Sequence, residues 1–436
     1  MADPPGSARS WISPDRPHLP PRAVFLAAAV LGFPVVAAFV VVAAAHLARL
    51  DYHAWPVLVA NHLVTLGWGT MVAVGALYQL YPAAAGVRRD PPRTDAVAAV
   101  FYITAVVAMA AGFWFRWVPA ILAGGSALVG TVLLLDVMAW RVTVRRRRWS
   151  WPLTYAATAM LALLGVMAWG LLLAANWRWA FWPALLGPLG LGVHLPLGLV
   201  GWFGLLVTGI SYYLLPRFAD HRATAARFAS PVYAALVAGM LGLVAGAGGW
   251  TGATRLGLGL LGVGGLLYAA DVWDFVSSWR GRGRDITRLH WMVIAAETVA
   301  LSAGLIAHAV RLLPGDPTRW AVAAVVLFLL GWLTLAIMGQ VYKVTPFLMW
   351  FYRFYRRIPA YEVPRLPAPY WPAPAPWALA ATALGGLMVS GAILLDSVLL
   401  AQIGGIVFLI GSVIFSATIG YSWIPTLVAS MRTGAR

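Results

Sequence analysis

Twelve apolar stretches, each long enough to cross a bilayer as a helix, recur along the whole of this chain. They lie at approximately 24–47, 56–82, 96–115, 119–140, 152–175, 187–216, 230–249, 255–279, 289–311, 319–346, 376–395 and 398–428. About 20 apolar residues suffice to span roughly 30 Å of hydrocarbon as a helix. The stretches are continuously apolar and do not alternate, which favours helices over a barrel. Only 10% of residues are charged and 61% are hydrophobic, against about 25% charged in an ordinary soluble domain. The expectation is an all-α polytopic membrane protein of about twelve transmembrane helices, residues 24–428, behind a polar tail at 1–23. Its partner is the lipid bilayer. The first apolar run reads as a retained signal anchor, because no small-residue cleavage site follows it. The longest polar insertion, 347–375, is proline-rich and reads as an extended cytoplasmic linker with an aromatic, basic start at Phe351, Tyr352 and Arg353.

The net charge of +17 could suggest nucleic acid, but the distribution of the charges argues against it. Basic residues collect in alternate segments between the apolar runs. Of 31 lysines and arginines, 25 fall on the side that holds the N-terminus; the other side keeps Arg49, Arg116, Arg178, Arg255, Arg311 and Arg319. A positive-inside bias of this size predicts that both termini face the cytoplasm, with a bacterial cytoplasmic membrane as the location. The chain has no cysteine, which excludes disulfides, thiolate metal sites and iron–sulfur ligation.

An internal repeat organises the spans. The second contains Gly67-Trp68, then Gly75, Tyr78 and Pro82; the sixth contains Gly201-Trp202, Gly209, Tyr212 and Pro216; the tenth contains Gly331-Trp332, Gly339, Tyr342 and Pro346. In each, glycine, tyrosine and proline follow the tryptophan at +7, +10 and +14. The spacing predicts three pseudo-equivalent four-helix units, about 24–140, 152–279 and 289–428. The glycine would admit a neighbouring backbone. The tyrosine and proline would sit at the cytoplasmic edge, the latter ending the helix. Each tryptophan lies about 21 Å along the helix from its proline, too deep for an interfacial belt, and so faces protein or a cofactor.

Titratable residues inside the spans are few. His62 and His194 fall near the outer ends of equivalent helices, and His46 and His308 near the outer ends of spans one and nine. Such a set could converge on one outer layer, since neutral imidazole ligates metal and heme iron; near a helix end it can equally hydrogen-bond a carbonyl. Asp136, Asp271 and Asp274 precede Arg141 or Arg280 in sequence, a spacing that suggests snorkelling ion pairs. Glu297 lies about 10 Å inside span nine with no basic residue one turn away, a position suited either to a proton path or to a hydrogen bond with another span.

Twelve spans, three four-helix units and the series His62, Trp68, Gly75, Tyr78 and Pro82 in span two together resemble the heme–copper oxidase superfamily, most closely the nitric-oxide reductase large subunit. The resemblance covers the whole chain as topology and mainly spans two, six and ten as motif. It implies heme held by His62. On a heme-binding hypothesis, His194, His308 or His46 would be the further ligand, and Trp68 and Trp202 could contact the cofactor. Arg178 and Arg311, near the outer ends of spans six and nine, could balance propionates, since the arginines that usually do so between the last two spans are absent. It implies electron transfer or chemistry of a diatomic gas, with an electron donor as partner. Where the family places two heme-iron histidines in span ten, this chain has Ala324, Val325 and Val326, and span seven holds no histidine for copper. A complete copper centre is therefore not expected. Two other readings are a cofactor-free membrane scaffold for a partner subunit and, less in keeping with parallel repeats, a small-solute transporter.

Overall fold

Within hydrocarbon a helix satisfies its own backbone hydrogen bonds, which an isolated strand cannot do, and the apolar stretches fold accordingly. The computed structural model describes residues 21–87, 94–146, 149–219, 226–279, 285–354 and 372–421. These form twelve helices long and apolar enough to cross a membrane, with no strand among the described residues. They are α1 (Pro21–Ala48), α2 (Trp55–Ala84), α3 (Thr94–Trp114), α4 (Val118–Val144), α5 (Trp151–Trp179), α6 (Pro188–Phe218), α7 (Ala229–Ala247), α8 (Thr251–Ser277), α9 (Ile286–Ala309), α10 (Pro317–Phe354), α11 (Ala375–Leu394) and α12 (Val398–Tyr421). The protein is an all-α polytopic membrane protein.

The helices form a ring that closes on itself. Neighbours in sequence pack along their lengths (α3 on α4, α7 on α8, α8 on α9, α11 on α12), and α1 packs on α12. Inside the ring stand α2, α6 and α10, with 67%, 56% and 67% of their apolar windows buried, against half or less for every other span. These are the three helices that carry the repeat. All three change to π-helical winding at the same place, over Leu63–Thr70, Leu197–Gly204 and Leu327–Leu333. Each wide turn contains the Gly-Trp pair. A π segment sacrifices good hydrogen-bond geometry and is rare, so its recurrence at one motif marks the three helices as structural equivalents.

Two of the repeated glycines, Gly209 and Gly339, admit a neighbouring helix as expected. A Cβ on Gly209 would collide with Tyr155 of α5, and one on Gly339 would fall 2.9 Å from the Cβ of His290 on α9. In both units the preceding helix therefore approaches the bare backbone. The tyrosines differ from expectation: Tyr78, Tyr212 and Tyr342 are buried, and Tyr212 donates to Asp271 of α8 at 2.9 Å. The prolines do not end their helices either. Pro82 and Pro216 lie inside the last turns of α2 and α6, and α10 continues past 346 to Phe354. The start of the expected linker is thus helical, while 355–371, like the tail at 1–20, lies outside the described residues.

At the face where α1 ends, here called the far face, the hairpins share one device. Leu50, Arg116, Ala180, Arg311 and Asp396 take left-handed backbone conformations with φ of 49° to 62°, and Gly249 takes the corresponding place after α7. After Leu50, Arg116, Arg311 and Asp396, the next amide donates to the carbonyl five residues back, as from Trp117 to Gly112 at 2.8 Å. This Schellman geometry satisfies carbonyls that a helix end otherwise leaves open. Arginines from other helices satisfy more. Arg319 of α10 donates to the carbonyls of Ala48 and Ile393, at the ends of α1 and α11, and pairs with Asp396 at 3.0 Å. Arg255 of α8 caps α9 through Ala309, while Arg288 of α9 caps α8 through Val276, each at 2.8 Å. Cations at helix C-termini are favoured because the carbonyl ends carry partial negative charge.

Candidate functional site

His62 and His194 come together between α2 and α6, near the far face. Their ring centres are 6.4 Å apart and their planes differ by 38°. His62 sits one residue before the π segment of α2, and His194 three residues before that of α6. The two imidazoles are therefore delivered by equivalent stretches of equivalent helices. The His62 Nδ1 is 2.7 Å from the Leu58 carbonyl one turn earlier. Because a carbonyl only accepts, Nδ1 carries the proton and Nε2 is left with a lone pair. The His194 Nδ1 is buried without a hydrogen-bond partner of ordinary geometry among the described residues.

Aromatic and small residues shape the surroundings. Phe113 of α3 stacks on His62 at 4.5 Å, and Trp177 of α5 meets both Phe113 and Trp55 edge-on. Gly170 of α5 leaves room for His194, since a Cβ there would fall 3.0 Å from Cε1. The neighbouring Trp169 donates to the Gly190 carbonyl at 2.9 Å and anchors the start of α6. No cue in the sequence singles out Phe113 or Gly170, which become part of the site only when α3 and α5 pack against α2 and α6.

The other candidates are placed elsewhere. His46 pairs with Asp51 in its own loop at 3.0 Å. His308 and Arg311 close α9, which packs chiefly on α8, α10 and α11. Arg178 is exposed beside Trp177 at the far face. The three tryptophans are buried against protein. Trp68 stacks on Phe33 of α1 at 4.2 Å, Trp202 donates to the Thr70 hydroxyl of α2 at 2.9 Å, and Trp332 donates to Thr298 of α9 at 2.9 Å.

Of the expected pairs of aspartate with arginine, that of Asp136 with Arg141 does not form, and those of Asp271 and Asp274 with Arg280 fall outside the described residues. Asp271 receives Tyr212 and the amides of Arg227 and Phe228, so it caps the start of α7; its expected partner, Arg280, lies outside the described residues. Asp136 has no partner on either oxygen among the described residues, Arg141 included.

Among the described residues, no three His, Cys, Asp or Glu side chains gather where they could hold a metal ion. This limits the chemistry of the histidine pair. A zinc or copper ion normally takes three or four protein ligands, whereas heme iron brings four nitrogens of its own and needs one or two. Two imidazoles on opposite sides of one metal, with bonds of about 2.0–2.1 Å, place their ring centres roughly 6 Å apart. The observed ring-centre separation of 6.4 Å is close to that value. No protein-family model matches the sequence, and no curated protein resembles it at a significant level.

Proposed function

We propose that the chain is a heme-binding membrane protein of oxidase-like architecture, in which His62 and His194 would hold the heme iron, with a role in electron transfer. The reading rests on the 6.4 Å separation of two imidazoles supplied by equivalent helices. In this reading Leu58 fixes the tautomer of His62 through Nδ1–H, which points the basic Nε2 away from its own helix. Gly170 makes room for His194, Phe113 covers His62, and Trp55 and Trp177 pack in turn against Phe113. When bound, heme supplies one-electron chemistry. With both imidazoles holding it, the group would be suited to electron transfer rather than to binding a diatomic gas. The 25 basic residues on the side of the termini support an orientation with both ends in the cytoplasm of a bacterial cell.

An absorption spectrum of the purified full-length protein tests the assignment. A Soret band is expected in the wild type and in His308→Ala, and is expected to be lost in His62→Ala and in His194→Ala at unchanged elution volume. A colourless protein that elutes as a folded species would reject heme. It would favour the scaffold reading, in which Phe113 simply packs on His62 as an apolar lid.

A further inference from the structure

A second polar feature runs along the contact between α9 and α10, in a unit that contributes nothing to the histidine pair. The two helices are antiparallel, and polar groups of α9 face α10 in register. At the face where the chain begins, Asp285 pairs with Lys343 at 2.5 Å. One turn inward, the Thr287 hydroxyl donates to the Gly339 carbonyl at 2.9 Å. His290 then lies against Gly339, Glu297 against Gly331, and Thr298 accepts from Trp332. The glycines of the repeat give these side chains their space: a Cβ on Gly331 would fall 2.8 Å and 3.0 Å from the two Glu297 oxygens.

Two members of this row are incompletely bonded. His290 is fully buried; its Nδ1 donates to the Ile286 carbonyl at 2.8 Å, and its Nε2 has no partner among the described residues. Glu297 is 5% exposed, and neither oxygen has a partner there. An ionised carboxylate held this way would cost several kcal/mol in an apolar interior. A bound proton removes the charge. Among the described residues, the groups on neighbouring helices that could instead neutralise it are engaged elsewhere. On α10, Lys343 is paired with Asp285 and the Tyr342 ring lies tilted against His290 at 5.5 Å. On α8, Tyr268 bonds Ser211, and Asp271 is held by Tyr212 and the amides of Arg227 and Phe228. On α9 itself, Arg288 caps α8. The α11 helix has no titratable residue.

His290 and Glu297 are seven residues apart on one helix face, about 10 Å by helical rise. The Asp285–Lys343 pair lies between His290 and the aqueous face along the seam, and the unpartnered Nε2 of His290 has a lone pair that can accept a proton. It cannot pass it on through Nδ1, which the Ile286 carbonyl holds, so the same Nε2 must release it inward. We propose that the α9–α10 seam is a proton-uptake path, with His290 as its acceptor near the entrance and Glu297 as its buried proton-binding site. In each exchange, the N–H bond at His290 Nε2 breaks and an O–H bond forms on one Glu297 oxygen as the proton already held by the carboxyl leaves to water; water entering the seam would carry the proton across the roughly 10 Å between them. The proposal is independent of whether the histidine pair holds heme.

The chain contains two glutamates, Glu297 and Glu362, so carbon-13 glutamate labelling isolates the group in the infrared. Full-length protein in proteoliposomes is expected to show the carbonyl stretch of a protonated carboxyl that shifts on labelling and in D2O and vanishes in Glu297→Gln. In His290→Gln the band is expected to persist while its deuterium exchange slows roughly 10²-fold, the scale of a lost proton-transferring side chain. Should Glu297→Gln not fold, labelled Glu362→Gln leaves Glu297 as the sole reporter. A label that reports only ionised glutamate, or an exchange rate untouched in His290→Gln, would overturn the proposal.

Discussion

The α2–α6 and α9–α10 contacts are built from the same sequence ladder and do different things with it. In both, a Gly-Trp pair sits in a π segment, and the indole N–H reaches a threonine hydroxyl on a neighbouring helix, Thr70 from Trp202 and Thr298 from Trp332. At α2–α6 the polar investment lies near the far face, as two imidazoles with Phe113 over one of them. At α9–α10 it lies deeper and toward the opposite face, as a buried histidine and a buried carboxyl under glycines. Span ten has Ala324, Val325 and Val326 where its counterparts carry histidine nearby. The ladder therefore sets backbone geometry, and chemistry is added to it separately in each unit.

Substitutions in the shared framework should hurt both regions alike, and those in the added groups only one. The largest effect is expected at Trp68, fully buried on Phe33. Trp68→Ala should cost about 3–5 kcal/mol, the range for deleting a large buried aromatic, read as unfolding free energy in mixed micelles. A loss below about 1 kcal/mol would mean that the repeat does not organise the core. Gly331→Ala comes next, since its methyl would press on Glu297; overpacking of this kind costs roughly 1–3 kcal/mol. Gly32→Ala is its control, because nothing lies within 4 Å of the added atom, and a change within about ±0.5 kcal/mol is expected.

A smaller effect distinguishes the two indole bonds. Trp202→Phe removes the donor to Thr70 and should cost about 1 kcal/mol, as for a typical hydrogen bond. A double-mutant cycle with Thr70→Val should recover that coupling, while the same cycle with Thr298→Val should give none. Coupling of Trp202 to both threonines would show that the two contacts are not separate.

Much of the fold is legible in the chain itself. The twelve spans, their approximate ends and the equivalence of spans two, six and ten follow from apolar length and from a repeated series of five residues. The site is legible only in part. His62 and His194 stand out as imidazoles in matching helices, but the sequence places His46 and His308 on the same footing. The structure separates them, because His46 turns back to Asp51 and His308 belongs to another unit. Glu297 is conspicuous as a lone acid in an apolar helix, whereas its alignment with His290 over Gly331 and Gly339 depends on how α10 is rotated against α9.

Sequence alone determined what short-range physics controls: each apolar run must become a helix because its backbone has no other partner in lipid, and the run lengths count the crossings. Only tertiary structure decided which side chains meet. The two imidazoles, the indole–hydroxyl pairs and the arginines that cap distant helix ends join residues far apart in the chain, through rotations and π segments that no local pattern encodes. Between apolar helices in lipid, such pairings are selected by close packing and a few hydrogen bonds rather than by hydrophobicity, so they become visible only when the helices are assembled.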